Sequence, residues 1–274
     1  MKSRGRGTKG RRMVIFTDLD GSLLDHADYS YRRALPALKK IRANGIPLVM
    51  CTSKTRKEVE VLRGEMGVEG PFIAENGGGI FFPMTSGLRV EECIAIHNHK
   101  CIPLGVPYGM VRAFLKSASR YYPIKGFGDM TVEEVVRHTG LPREKALLAK
   151  YREFTEPFVI EREESIPALK EAAHEAGISI TRGGRFFHFT GLGSDKGRAV
   201  RMTRRIFEKN WKASVTTVGV GDSRNDLPML QQVDIPVLIP KHDGSFEDFS
   251  LPNLIRAPFP GSRGWNEVMY SLLN

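Results

Sequence analysis

The sequence predicts an α/β fold, a doubly wound parallel-sheet (Rossmann-like) core carrying an inserted α+β cap domain. Three observations predict it. Short apolar strands alternate with glycine-terminated helices over residues 13–83, the rhythm changes over 84–190, and the first pattern resumes over 191–274. Alternation of this kind requires a parallel sheet with helices on both faces and right-handed crossovers. A break that later heals marks an insertion, so the core is expected at 13–83 and 191–274 and the cap at 84–190.

The first unit opens with VIFT (14–17), a run of β-favouring residues. YRRALPALKKIRANG (31–45) follows as an amphipathic helix with Leu35, Leu38 and Ile41 on one face and an Asn-Gly stop. IPLVMCT (46–52) is a second strand, TRKEVEVLRGEMG (55–67) a helix with Val59, Leu62 and Met66 at helical spacing, and PFIAEN (71–76) a third strand. In the inserted part, RVEECIAIH (89–97) reads as a strand and GMVRAFLKSASRYY (109–122) and TVEEVVRHTG (131–140) as helices. FVIER (158–162), SIPALKEAAHEAG (165–177), ISITRGG (178–184) and RFFHFTG (185–191) follow as strand, helix, strand and strand. The chain closes with a helix at 194–210, a strand at 214–222, a short helix at 225–232, a strand at 235–240 and a terminal helix at 264–274.

Composition narrows the function classes. Hydrophobic residues make up 41% and charged residues 26%, values of a water-soluble globular chain, and no apolar run approaches the ~18 residues of a membrane span. Cys51, Cys93 and Cys101 are scattered, without CxxC spacing, so neither a disulfide framework nor a zinc site is expected and a reducing cytoplasm fits. The net charge is +10, but MKSRGRGTKGRR (1–12) holds six basic residues and no acid, so the remainder carries +4. Residues 1–12 are expected to be a disordered basic tail. Nucleic-acid binding through that tail is the non-enzyme alternative; no basic motif interleaved with aromatics supports it.

Ligands of doubly wound sheets bind beyond the carboxyl ends of the strands. Three strands here end in polar groups that suit a shared chemistry. The first ends in Asp18 and Asp20, the second in Thr52, Ser53 and Lys54, and the third in Asp222 and Asp226. Carboxylates converging on one edge repel unless a cation sits among them, and a hard dication such as Mg²⁺ takes carboxylate, water and phosphate oxygens. Asp18 and Asp222 are the first expected ligands, with Asp20 contributing its backbone carbonyl and Asp226 orienting the metal shell or Lys196.

These residues occur as DLDGS (18–22), CTSK (51–54), SDKG (194–197) and GDSRND (221–226), in that order. The set resembles the signature of the haloacid dehalogenase superfamily of phosphohydrolases. The cap between the third strand and the lysine helix resembles its sugar-phosphatase (Cof-like) subgroup. Within that subgroup the likeness reaches furthest toward the mannosyl-3-phosphoglycerate phosphatase family, through CTSKTRKEVE, IAENGGGIF, GFGDMT, AKYREFTEPF and TRGGRFFHFTGLGSDKG. The resemblance implies a Mg²⁺-dependent phosphomonoesterase acting on a phosphorylated sugar or glycerate. Asp18 is then the nucleophile, Asp20 the general acid and base, Thr52 a phosphoryl hydrogen-bond donor and Lys196 the charge that opposes the transferring group.

Candidate substrate contacts are Ser53, Lys54, Glu75, Asn76 and Asn225 on the core edge and Asp129, Arg152, Glu153, Arg182 and Arg185 in the cap. A planar guanidinium pairs well with a carboxylate or phosphate. Gly183 and Gly184 either turn backbone amides toward an anion or simply form a hairpin turn. His188 is expected to pack between Phe187 and Phe189. Other sugar phosphatases, for glucosyl-3-phosphoglycerate or sucrose phosphate, and a phosphomannomutase remain the enzymatic alternatives.

Overall fold

The computed structural model describes residues 12–183 and 186–274. The expected tail, apart from Arg12, lies outside the described residues, as do Gly184 and Arg185. The first strands and helices are β1 (Arg12–Thr17), α1 (Leu35–Ala43), β2 (Leu48–Cys51), α2 (Arg56–Met66), β3 (Phe72–Ala74), β4 (Gly79–Pro83), β5 (Ile94–Ile96) and β6 (His99–Pro103). Then come α3 (Tyr108–Ala118), β7 (Ile124–Gly126), α4 (Val132–Thr139), α5 (Arg143–Ala149), β8 (Glu156–Ile160), α6 (Ile166–Glu175), β9 (Ile178–Gly183) and β10 (Phe186–Gly191). The C-terminal part holds α7 (Lys196–Trp211), β11 (Val215–Gly221), α8 (Leu227–Leu230), β12 (Ile235–Leu238), β13 (Ile255–Arg256) and α9 (Gly261–Leu272).

Two sheets result. The larger has the order β13-β12-β11-β1-β2-β3-β4-β6-β5, parallel from β13 to β3 and antiparallel beyond. Successive β1 residues serve opposite faces: Ile15 joins one apolar cluster with Leu38, Val59 and Trp265, whereas Val14 and Phe16 join the other with Val200 and Phe207. A strand buried on both sides reads in sequence as a continuous apolar run, which is why VIFT announces itself. Arg12 pairs with Val215 and so belongs to β1 rather than to a tail. At the other end of β1, the Trp265 indole donates to Thr17 Oγ1 at 3.0 Å, tying α9 beneath the strand tip.

The expected cap boundary at residue 84 needs correction. β5 and β6 extend the first sheet, with β6 pairing β4 from Gly79↔Pro103 to Pro83↔His99. An unpaired β4 edge would leave backbone donors and acceptors without partners, and β6 supplies them. The inserted unit therefore runs from about α3 to β10. Its four-stranded antiparallel sheet has the order β7-β8-β10-β9, and α3 and α6 cover one face through Leu115, Leu169, Phe158 and Phe189. Phe158 and Phe189 stack with ring centroids 4.1 Å apart.

Candidate active site

Parallel pairing sets the catalytic edge. Thr17 lies beside Met50 on β2 and Val220 on β11, so the residues that follow all three strands emerge on one side of the sheet. The Asp18 amide donates to Val220 O at 2.8 Å, locking the turn that carries the first carboxylates. Gly21 has φ +80°, and a Cβ there would lie 2.5 Å from Asp222 Oδ2. Only glycine lets this turn and the β11 tip approach so closely.

Lys196, at the first turn of α7 and only 2% exposed, is the electrostatic centre. Its Nζ donates to Asp18 Oδ1 and to Asp226 Oδ1, each at 2.7 Å. Burial opposes its charge, but Asp18 and Asp226 override that and hold its pKa well above the usual lysine value. Asp226 Oδ2 accepts from the amides of Asp222 and Ser223, both at 3.1 Å, and from the Ser223 hydroxyl at 3.0 Å. Asp226 thus braces both the lysine and the loop bearing Asp222.

Carboxylate oxygens of Asp18, Asp222 and Asp226 lie within 4.8 Å of one another. Three such groups against one ammonium leave two negative charges in a buried place, the balance a dication restores. Burial first, and then Asp226, push the Asp18 carboxyl up to about 7. Burial, then Asp226 and Asp18, push Asp222 to about 9. The all-oxygen donor set fits a hard cation, with Asp18 and Asp222 as holders and Asp226, its oxygens already engaged, as their support.

Asp20 Oδ2 pairs with Lys54 Nζ at 2.8 Å, while its Oδ1 is buried without a hydrogen-bond partner among the described residues. Thr52 is buried at the tip of β2, and its Oγ1 accepts from the Lys54 amide at 3.2 Å. Burial works against the Lys54 charge, but Asp20 and then Glu58 raise its pKa above the ordinary lysine value.

A cleft of about 290 Å³ opens between this edge and the inserted unit, lined on the core side by Asp18, Asp20, Ser53, Lys54, Asp222 and Asn225. Arg152 and Gly183 line the facing wall, and Arg152 Nη1 donates across to Ser53 O at 2.9 Å. Asn225 Nδ2 donates to Asn76 Oδ1 at 2.8 Å, placing Asn76 one residue behind the cleft surface.

Four expected substrate contacts are otherwise engaged, and the cleft is not lined by them. Glu75 is fully buried and accepts from the amides of Glu153, Phe154 and Thr155 and from the Thr155 hydroxyl, at 2.7–3.1 Å. A carboxylate so satisfied is a peg that docks the inserted unit on the core. Glu75 and Asn76 both have positive φ (53° and 57°), strain that this dense bonding holds in place. Glu153 pairs with Arg56 Nε at 2.7 Å, Asp129 with Arg112, and the exposed Arg182 with Glu163 at 3.0 Å. Each had an acid–base partner in sequence, but at separations no local pattern reveals. Gly184 and Arg185 fall outside the described residues.

The sequence reading missed several cleft residues: His26 and Tyr29 on the core, and Phe127, Thr139, Leu141, Pro157 and Phe186 opposite. His188 is a correction. Strand alternation puts it on the face opposite Phe187 and Phe189, where it lines the cleft with Nδ1 unpartnered among the described residues. Burial, then Arg152, lowers its pKa to about 3, so it is neutral there.

The fold, the three strand-end elements and the lysine at the start of α7 describe a hydrolase of the haloacid dehalogenase type. The pattern of the haloacid dehalogenase-like hydrolases matches residues 15–241, and the chain belongs to that family. A Persephonella marina protein named glucosyl-3-phosphoglycerate/mannosyl-3-phosphoglycerate phosphatase is 52% identical over 263 residues, 96% of this chain and 97% of that one. A Methanococcoides burtonii protein of the same name is 42% identical over 95% of this chain and 97% of its own length. Among solved structures, a Thermoplasma acidophilum protein superposes with a TM-score of 0.71 at 17% identity, covering 96% of this chain and all of that one, a likeness of fold. The chain is accordingly a phosphoric monoester hydrolase.

Proposed function

We propose that this enzyme hydrolyses mannosyl-3-phosphoglycerate and glucosyl-3-phosphoglycerate to phosphate and the corresponding glycosylglycerate, by way of an aspartyl phosphate on Asp18. The observation that carries the chemistry is Lys196 bridging Asp18 and Asp226 beside Asp222, at the floor of a cleft closed by the inserted unit. The sugar-glycerate assignment rests on the names of the two full-length relatives.

Asp18 Oδ attacks phosphorus in line as the P–O ester bond breaks, and the leaving glycerate oxygen takes a proton from Asp20. Water then attacks the aspartyl phosphate, Asp20 accepts its proton, and the Asp18 carboxylate is regenerated with release of phosphate. Thr52 donates to a phosphoryl oxygen, and Lys196 offsets the charge spread over the transferring group, a preorganised effect worth a few kcal/mol. Ser53, Lys54, Arg152 and Asn225 contact the substrate from the cleft walls. Mg²⁺ held by Asp18 and Asp222, with the Asp20 carbonyl, supplies further neutralisation of the phosphate when bound.

Release of inorganic phosphate from mannosyl- and glucosyl-3-phosphoglycerate, sucrose 6-phosphate, mannose 1-phosphate and 3-phosphoglycerate, each with Mg²⁺, tests the reaction and its substrate class together. The two glycosylated glycerates should exceed the others in kcat/KM by about tenfold or more. Phosphoryl migration without release would make the enzyme a mutase, and equal rates on all five would remove the sugar assignment.

Mg²⁺ binding should also show as pH-dependent stability. Asp18 and Asp222 bind protons more tightly folded than unfolded, so their contribution is present at low pH and lost as pH rises through about 7 and about 9. Deprotonation exposes the carboxylates to the dication, so the rise in Tm on adding Mg²⁺ should grow from pH 6 to pH 9. At about 100 times the dissociation constant the gain is about 2.7 kcal/mol. A Tm increment that is flat or falls across this range would count against these two ligands.

A further inference from the structure

Tyr29 sits on the loop between β1 and α1 and lines the cleft beside Asp18, Asp20 and Lys54. Its backbone has φ 58°, in the left-handed region that costs a bulky residue of order 1 kcal/mol or more. The loop is built to hold it there. The Tyr29 amide donates to Asp25 O at 3.0 Å and the Asp25 amide to Ser30 O at 2.9 Å. The amide and hydroxyl of Ser262 in turn both donate to Asp25 Oδ1 at 2.9 Å, pinning the loop to α9.

Two ammonium groups lie near the ring so presented, Lys54 Nζ at 5.2 Å from its centroid and Lys145 Nζ at 5.7 Å. Across the cleft the inserted unit offers Phe127, Leu141 and Phe186, with the two phenylalanine rings edge to face at 5.0 Å. The cleft lining thus combines charged groups, Asp18, Asp20, Lys54, Arg152 and Asp222, with apolar surfaces on both of its sides, Tyr29 on the core and Phe127, Leu141 and Phe186 opposite. A phosphate and a glycerate carboxylate suit the first set. A hexose, with an apolar C–H face and hydroxyls around its rim, suits an aromatic wall.

We infer that Tyr29 is a specificity-determining residue whose ring is the stacking surface for the hexose of the leaving group. The inference rests on the proposed sugar-glycerate reaction. Binding energy gathered on the sugar, remote from phosphorus, distinguishes the glycosylated substrate from the bare phosphoglycerate.

The test compares mannosyl-3-phosphoglycerate with 3-phosphoglycerate, the same phosphoester without the sugar, in wild type, Tyr29→Phe, Tyr29→Leu and Tyr29→Gly. Glycine relieves the left-handed strain, so a folded variant without the ring is available even where leucine disturbs the loop, and thermal unfolding verifies each fold. Tyr29→Leu and Tyr29→Gly should raise KM for the glycosylated substrate by about tenfold, within the range one lost apolar contact produces. For 3-phosphoglycerate kcat/KM should change by less than about twofold, and Tyr29→Phe should retain near wild-type KM on both.

Equal losses on both substrates would overturn the inference and place the effect on Lys54 and Asp20 instead. No change on either would overturn it as well. If wild type itself does not favour the glycosylated substrate, the proposed reaction fails and the inference with it, an outcome visible before any variant is compared.

Discussion

Asp18→Asn should lower kcat by about 10⁴-fold or more, the scale on which removal of a covalent nucleophile acts. The fold should survive. Asparagine matches aspartate in shape, and its carbonyl oxygen can still accept from Lys196, which now donates to Asp18 Oδ1 at 2.7 Å. Burial and Asp226 both disfavour the Asp18 charge, so its removal relieves repulsion in the metal-free protein. Tm above pH 7 without Mg²⁺ should be equal to wild type or higher. Phosphate release and thermal unfolding on the same preparation check both halves. Hydrolysis within about tenfold of wild type would remove Asp18 as the nucleophile.

Lys196→Met should be damaging in both respects. Lys196 and Asp226 are almost fully buried, and removing one partner of a buried ion pair costs about 3–5 kcal/mol because the remaining charge is stranded. Here Asp18 and Asp226 both lose their cation. Lys196 holds the raised pKa of Asp18 down, so without it the folded-state proton affinity of Asp18 rises further, the native state binds more protons than the unfolded chain, and stability falls as pH rises. The variant should be closest to wild type in acid and fall away toward neutrality and above, with phosphate release lost throughout. Equilibrium denaturation from pH 5 to 8 measures this. A pH-independent difference from wild type would refute the charge-balance account of Lys196.

Three of the four catalytic motifs were legible because they sit at the end of a strand, and strands buried on both faces are unmistakable apolar runs. Once DLDGS, CTSK and GDSRND each follow such a run, parallel pairing alone carries them to one edge. The cap boundary was not legible. Residues 94–103 look the same in sequence whether they pair with β4 or found a second sheet, and the open edge of β4 decides it. Glu75 shows the same limit. Its place after a strand made it a candidate contact for substrate, yet it receives four hydrogen bonds from residues 153–155, nearly eighty positions away. For His188 the information was present and misread, because alternation along β10 puts it opposite its two phenylalanine neighbours.

The sequence by itself determined the parallel core, the order of the four motifs and the gathering of carboxylates on one edge, since these follow from apolar periodicity and from acids at adjoining strand ends. Tertiary structure alone decided which polar groups face the cleft and which are consumed in holding the cap. A carboxylate is available to substrate only if no nearer donor claims it, and its donors come from segments whose separation in the chain has no bearing on their distance in space.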